Sequence, residues 1–178
     1  RMGNLLHGKN VGIVGFGKIG QAVAHLLEPF GVKVGYHDPF ADVPGYTRLE
    51  LDDLMGWADV ITLHCPKTEN GAPLLDLGRL SLMRPGSIIL NIARGGLIDE
   101  KALLGLLTAG HLAGAALDCF TKEPYDGPLK EMDNVILTPH MAFYSDTALF
   151  DCLRIACQNL TYYLNGEHDK VNRFVPRE

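Results

Sequence analysis

Three ionisable residues in this 178-residue chain could together interconvert a carbonyl and an alcohol: Arg94, Glu123 and His140. His140 follows Pro139 at the end of an apolar run, and imidazole is the side chain suited to give and take a proton near neutral pH. Glu123 could hold the other ring nitrogen, fixing the orientation of the imidazole and favouring its charged form. Taken alone, Glu123 reads equally well as an exposed turn carboxylate before Pro124. Arg94 sits in Asn-Ile-Ala-Arg-Gly-Gly. Its guanidinium fork suits a carboxylate and a neighbouring carbonyl oxygen on one substrate. The glycines at 95 and 96 are expected to let backbone approach that ligand closely.

A second group of residues is built for phosphate. Gly15-Phe-Gly17-Lys18-Ile19-Gly20 follows an apolar run and opens a helical pattern. Gly15 permits a tight turn, Gly17 lets backbone approach a pyrophosphate, and Gly20 lets helix and strand pack closely. The backbone N–H groups of Lys18 and Ile19 would face the phosphates at a helix N-terminus. A bare glycine motif is weak, but here Asp38 follows 18 residues beyond Gly20, at the end of the next apolar run. Asp38 is placed to accept hydrogen bonds from ribose hydroxyls. Its charge opposes a 2′-phosphate, and no Arg lies between it and Arg48, so NAD is favoured over NADP.

Elements must carry these residues to one place. Six Val- and Ile-rich runs predict strands at Val11–Gly15, Lys33–His37, Asp59–His64, Ser87–Asn91, Leu112–Leu117 and Val135–Leu137. Most lack charge, as strands buried on both faces do. Helical patterns lie between them at Gln21–Phe30, Leu51–Ala58, Asp76–Met83 and Asp99–Ala109, the last with Asp99 as N-cap and Gly110 as stop. Thr121–Asn134 holds Pro124, Gly127 and Pro128 and reads as a loop crossover, and a long helix is expected from about Ser145 to Asn165. The alternation predicts an α/β fold: a three-layer, Rossmann-type, doubly wound parallel sheet. In such a sheet ligands bind at the carboxyl ends of the strands, the edge where Arg94, Glu123 and His140 would converge.

Composition excludes several classes. With 16 Lys plus Arg against 21 Asp plus Glu, the net charge is −5, which argues against a nucleic-acid partner. No apolar run approaches the roughly 20 residues of a membrane helix, and no signal peptide is visible at the start. Four cysteines, at 65, 119, 152 and 157, form no C-x-x-C pair, which favours a reducing, cytoplasmic setting. No H-x-x-x-H or Cys/His cluster supports a metal. His25 and His111 read as helix-face residues, and His37 and His64 as neighbours of the adenosine half. Glycine is in excess, 20 of 178, against a usual share of about 7%.

These pieces together resemble the D-isomer-specific 2-hydroxyacid dehydrogenases from about Gly8 to His140. The carriers are Val-Gly-Ile-Val-Gly-Phe-Gly-Lys-Ile-Gly, Tyr-His-Asp-Pro, Leu-His-Cys-Pro-Lys-Thr, Asn-Ile-Ala-Arg-Gly-Gly-Leu-Ile-Asp, Ala-Leu-Asp-Cys-Phe-Thr-Lys-Glu-Pro and Leu-Thr-Pro-His. The stretch Glu-Pro-Tyr-Asp-Gly-Pro-Leu looks most like the phosphoglycerate-dehydrogenase-like branch. The resemblance implies that Arg94, Glu123 and His140 are the catalytic trio of an NAD-dependent oxidoreductase acting on a small 2-hydroxy or 2-oxo acid. It implies cofactor contacts at Gly15, Gly17, Lys18, Ile19, Gly20, Asp38, Cys65, Pro66, Ile92, Ala93 and Asp118, the last reaching the nicotinamide amide. It also implies a homodimer, and a substrate domain most of which precedes the glycine motif in relatives. Residues 1–178 then read as the NAD-binding domain alone, with 145–178 returning toward the substrate domain, and as inactive in isolation. Met141-Ala142-Phe143-Tyr144-Ser145 departs from the small-residue run of many relatives after the histidine, so the pocket near the nicotinamide is expected to differ. The family also includes corepressors that act as NAD(H)-sensing dimerisation modules, which stands as the alternative.

Overall fold

The computed structural model describes residue 3 and residues 5–172. The chain divides into two compact units, Arg1–His140 and Met141–Glu178. Among its described residues the first carries seven strands: β1 (Asn10–Val14), β2 (Lys33–His37), β3 (Thr47–Arg48), β4 (Val60–Leu63), β5 (Ile88–Asn91), β6 (Gly114–Leu117) and β7 (Val135–Leu137). All pair in parallel, in the order β3-β2-β1-β4-β5-β6-β7. This is the doubly wound arrangement, and its order reverses between β1 and β4, where such sheets open a crevice for ligands.

Its helices are α1 (Lys18–Leu27), α2 (Leu51–Trp57), α3 (Leu77–Leu82) and α4 (Glu100–Thr108). Successive side chains of a strand point to opposite faces, and β1 shows what each face meets. Val11 and Ile13 pack with Ala24 of α1, Phe16 and Tyr36. Val14 joins the larger core of Leu54 and Met55 from α2, Leu80 from α3 and Leu103 and Leu107 from α4. A Cβ at Gly12 would meet Ile61, Ala58 and Leu54, so glycine there lets α2 and β4 close on the strand. Over the second half of the sheet the face opposite the large core is less covered: Ile88 is 39% and Ile136 68% exposed.

Local chemistry sets the helix ends. Asp99 accepts from Lys101 N and Ala102 N at 3.0 and 3.1 Å, and Asp76 caps α3 through Arg79 N at 3.0 Å. Caps of this kind contribute about 1 kcal/mol each. Gly110, at φ 71°, follows the end of α4, the left-handed exit that glycine supplies.

Several boundaries differ from the sequence reading. α1 begins at Lys18 rather than Gln21, and Glu28–Phe30 forms a separate 3-10 turn around Pro29. The two-residue edge strand β3 carries no apolar signal. Its ladder with Gly35 and Tyr36 comes from tertiary pairing. The crossover predicted as loop contains a 3-10 turn, Pro128–Glu131, which buries Leu129. His111 lies beyond α4, not on its face, and its Nε2 contacts the Met83 carbonyl at 2.8 Å.

In the second unit, α5 (Asp146–Leu164) is capped by Ser145, whose hydroxyl accepts from Ala148 N at 3.2 Å. Phe150, Leu153, Leu160 and Leu164 along it are all more than half exposed. Part of the tail reading, 173–178, lies outside the described residues.

Candidate active site and cofactor cradle

The carboxyl ends of β1, β2 and β4 build a glycine-lined turn over the crevice. Gly15 has φ 90°, and a Cβ there would stand 2.7 Å from the backbone of His64 and Cys65, so only glycine lets β1 and β4 approach at this point. A Cβ on Gly20 would run into the Gly15 carbonyl oxygen, which presses α1 against the turn. Gly17 is different. It is the N-cap of α1, with φ −73° and no capping side chain, and a Cβ there would meet nothing within 4 Å. The protein's own packing does not require glycine at 17, and the first-turn N–H groups at Lys18 and Ile19 are left for a partner outside the helix. That open, uncapped helix terminus fits a dinucleotide pyrophosphate.

Asp38 is 6% exposed. Its Oδ2 accepts from Phe16 N at 2.7 Å, and its Oδ1 from Phe40 N at 2.8 Å and Ala41 N at 3.0 Å. The carboxylate thus ties the glycine turn to the loop after β2, a bracing role the sequence did not show. Cys65 follows β4 half-buried, and burial pushes its thiol up to about 11. Pro66 beside it is exposed. Burial also lowers the pKa of His64, whose Nε2 contacts Thr62 Oγ1 at 3.0 Å.

At the other half of the edge, β5 runs into Ile92, Ala93 and Arg94. Ile92 is 40% exposed and Ala93 buried. The Asn91 side chain shapes this turn, accepting from Ala93 N at 3.1 Å and donating to the Arg94 carbonyl at 2.9 Å. Arg94 is exposed, and its Nη1 donates to the Ala93 carbonyl at 2.6 Å. The 95–96 glycine pair has a packing role that its spacing in the sequence does not show. A Cβ on Gly95 would collide with the backbone of Phe120, and Gly96 turns at φ 82°. The pair lets the β5 and β6 loops pack and turn, with Gly95 buried against the Phe120 backbone.

Asp118 directly follows β6 and is 2% exposed. Its Oδ1 accepts from Thr138 Oγ1 at 2.5 Å, and its carbonyl accepts from His140 N at 2.9 Å. The β6 end thereby holds the β7 end in place. His140 adopts φ 54°, a left-handed conformation unusual for a non-glycine residue and common at functional sites. Its Nδ1 lies 3.0 Å from Glu123 Oε2, with 44% and 39% of the two side chains exposed. Glu123 Oε1 accepts from Phe120 N at 3.1 Å. The His140 hydrogen bond, then that of Phe120, holds the Glu123 carboxyl below its usual range. Glu123 also borders a cleft of about 300 Å³ lined by Phe120, Tyr125, Leu137 and Pro139.

Cys119 stands beside this pair, 3% exposed, its Sγ 3.6 Å from the Ala93 carbonyl that Arg94 also contacts. Burial raises its thiol pKa, as do Asp118 and Glu123, against the opposing charge of Arg94. Sequence spacing contained no Cys/His motif, yet folding gathers Cys119, Glu123 and His140 from two separated segments.

Comparison with known proteins agrees with this architecture. Residues 1–142 match the family model of the D-isomer specific 2-hydroxyacid dehydrogenase, NAD binding domain. The chain belongs to this family. It is 46% identical over 145 residues to the D-3-phosphoglycerate dehydrogenase of Mycobacterium bovis, a match covering 78% of this chain and 28% of that protein. The structure of D-2-hydroxyisocaproate dehydrogenase superposes with a TM-score of 0.88 at 34% identity, over 94% of this chain and 56% of that one. D-lactate dehydrogenase with NAD+ from Lactobacillus jensenii gives 0.87 at 30% identity, over 99% and 58%. The chain therefore spans between about a quarter and somewhat more than half of these relatives. It is an NAD-binding domain of the 2-hydroxyacid dehydrogenase family, and among its described residues no helix is long and apolar enough to cross a membrane.

Proposed function

We propose that the protein carrying this domain is an NAD-dependent oxidoreductase of the phosphoglycerate-dehydrogenase-like branch. It interconverts a small D-2-hydroxy acid and its 2-oxo acid. The observation that carries the reading is the Glu123–His140 pair, 3.0 Å apart at the strand edge that also bears Arg94 and the glycine turn. When bound, NAD supplies the hydride chemistry. Gly15, Gly17, Lys18, Ile19 and Gly20 would receive its pyrophosphate, and Asp38 its ribose. Cys65, Pro66, Ile92 and Ala93 would border it, and Asp118 would meet the nicotinamide amide. Arg94 binds the substrate carboxylate and polarises the neighbouring carbonyl. His140 protonates the carbonyl oxygen in reduction and takes the proton back in oxidation. Glu123 keeps the imidazole oriented for that transfer.

The same proposal extends to organisation. Segment 145–178 serves a substrate domain like that of the longer relatives, and the exposed apolar side chains of α5 support this. The intact protein is a homodimer in a reducing, cytoplasmic setting, in keeping with four free cysteines. The 178 residues alone bind NAD and turn nothing over. Calorimetric titration of this chain should show NAD binding at least about tenfold tighter than NADP. Equal affinities would remove Asp38 from its selective role. The intact protein should oxidise D-2-hydroxy acids, 3-phosphoglycerate among those to assay, whereas robust turnover by the isolated chain would overturn the division of labour.

A further inference from the structure

We propose that Cys119, Glu123 and His140 form a binding site for one thiophilic divalent cation of the zinc class. Their ligand atoms all lie within 4.8 Å of one another. Zinc bonds of about 2.0–2.3 Å in a tetrahedron place ligand atoms roughly 3.3–3.8 Å apart. Glu123 Oε2 and His140 Nδ1 stand at 3.0 Å, and bringing ligand atoms that lie within 4.8 Å to tetrahedral spacing takes about 1 Å of movement. The two half-exposed side chains can supply that movement, while Cys119, almost fully buried, forms the floor. Glu123 is anchored through its other oxygen by Phe120 N at 3.1 Å, which leaves Oε2 to the ion.

The donor set itself selects the ligand. Thiolate, imidazole and carboxylate are zinc ligands, and three protein ligands with an open fourth position is a common zinc arrangement. The thiolate disfavours magnesium and calcium, which take oxygen. One thiolate and one carboxylate neutralise the dication. On binding, the Sγ–H bond is replaced by an Sγ–metal bond and the proton passes to solvent, with no change of oxidation state. The hydrogen bond between Glu123 and His140 is exchanged for coordination by both. Binding rests on this geometry alone. Its consequence, inhibition by capture of the proton-transfer pair, rests on the catalytic reading above.

The test uses the 178-residue chain with Cys152→Ser and Cys157→Ser, which removes the two exposed thiols. Cobalt(II) titration should give one site per chain, with a thiolate-to-metal charge-transfer absorption that equimolar zinc abolishes and magnesium does not. Cys119→Ser should remove that absorption and weaken zinc binding, read by competition with a chromophoric chelator, by about tenfold or more. Glu123→Gln and His140→Asn alter exposed side chains and keep the test valid if the serine variant fails to fold. They should weaken zinc by a similar factor while retaining the charge-transfer band. Absence of one-site binding, or zinc affinity indifferent to all three substitutions, would overturn the site. Neither outcome touches the catalytic reading, which is decided by turnover of the intact protein and its Arg94 variant.

Discussion

Gly17 and Gly20 belong to one motif and do opposite jobs. Gly20→Ala drives a methyl into the Gly15 carbonyl and should lower stability by about 1–3 kcal/mol, as overpacking does. Gly17→Ala meets open space at an allowed φ. It should change stability by less than about 1 kcal/mol while sharply weakening NAD binding. Chemical denaturation and calorimetric titration of both variants separate the two roles. Arg94→Ala in the intact protein should lose most turnover and leave NAD affinity nearly unchanged; equal loss of both would take Arg94 out of the substrate role. The Glu123–His140 pair predicts a pH effect of defined sign. The Glu123 pKa is depressed chiefly by the His140 hydrogen bond. Its contribution is therefore present above the ordinary carboxylate range and lost as pH falls through the depressed value. His140→Ala should move the Glu123 titration upward, toward the ordinary carboxylate value, in carboxyl-carbon NMR.

At the scale of elements, strand ends and caps hold the site. The β6–β7 clamp of Asp118 on Thr138 Oγ1 and His140 N places the histidine. The packing of Gly95 against Phe120 holds the β5 loop, which carries Arg94, against the β6 loop. Gly95→Ala should therefore destabilise the domain by about 1–3 kcal/mol and weaken NAD binding only in proportion to unfolding, measurable by thermal shift with and without cofactor. Strands and helices with strong apolar periodicity, such as Lys33–His37 and Leu51–Trp57, were legible in sequence almost to the residue. The edge strand Thr47–Arg48 was not, because both its residues are exposed and its structure is a consequence of the neighbouring strand. The packing role of Gly95 is hidden from the sequence for the same reason: its obstacle, Phe120, lies 25 residues away in the chain.

For the whole molecule, α5 is the element with the most unspent apolar surface. Phe150→Glu with Leu153→Glu should abolish any concentration-dependent self-association of this chain in sedimentation while leaving its thermal midpoint unchanged, since both side chains are exposed. A fall in the midpoint would instead place them in a packed core. Sequence by itself determined the alternating strand–helix order, the glycine turn with its acid, and the identity of Arg94, Glu123 and His140 as residues able to do chemistry. These follow from local periodicity and from residue type. Only the tertiary structure decided that Asp38 braces the turn it serves and that Glu123 meets His140 at 3.0 Å. It alone decided that Cys119 lies beside them. Those contacts join segments separated by many residues: the alternation predicts the parallel sheet that brings the segments to one edge, but the side-chain distances at that edge leave no trace in local spacing.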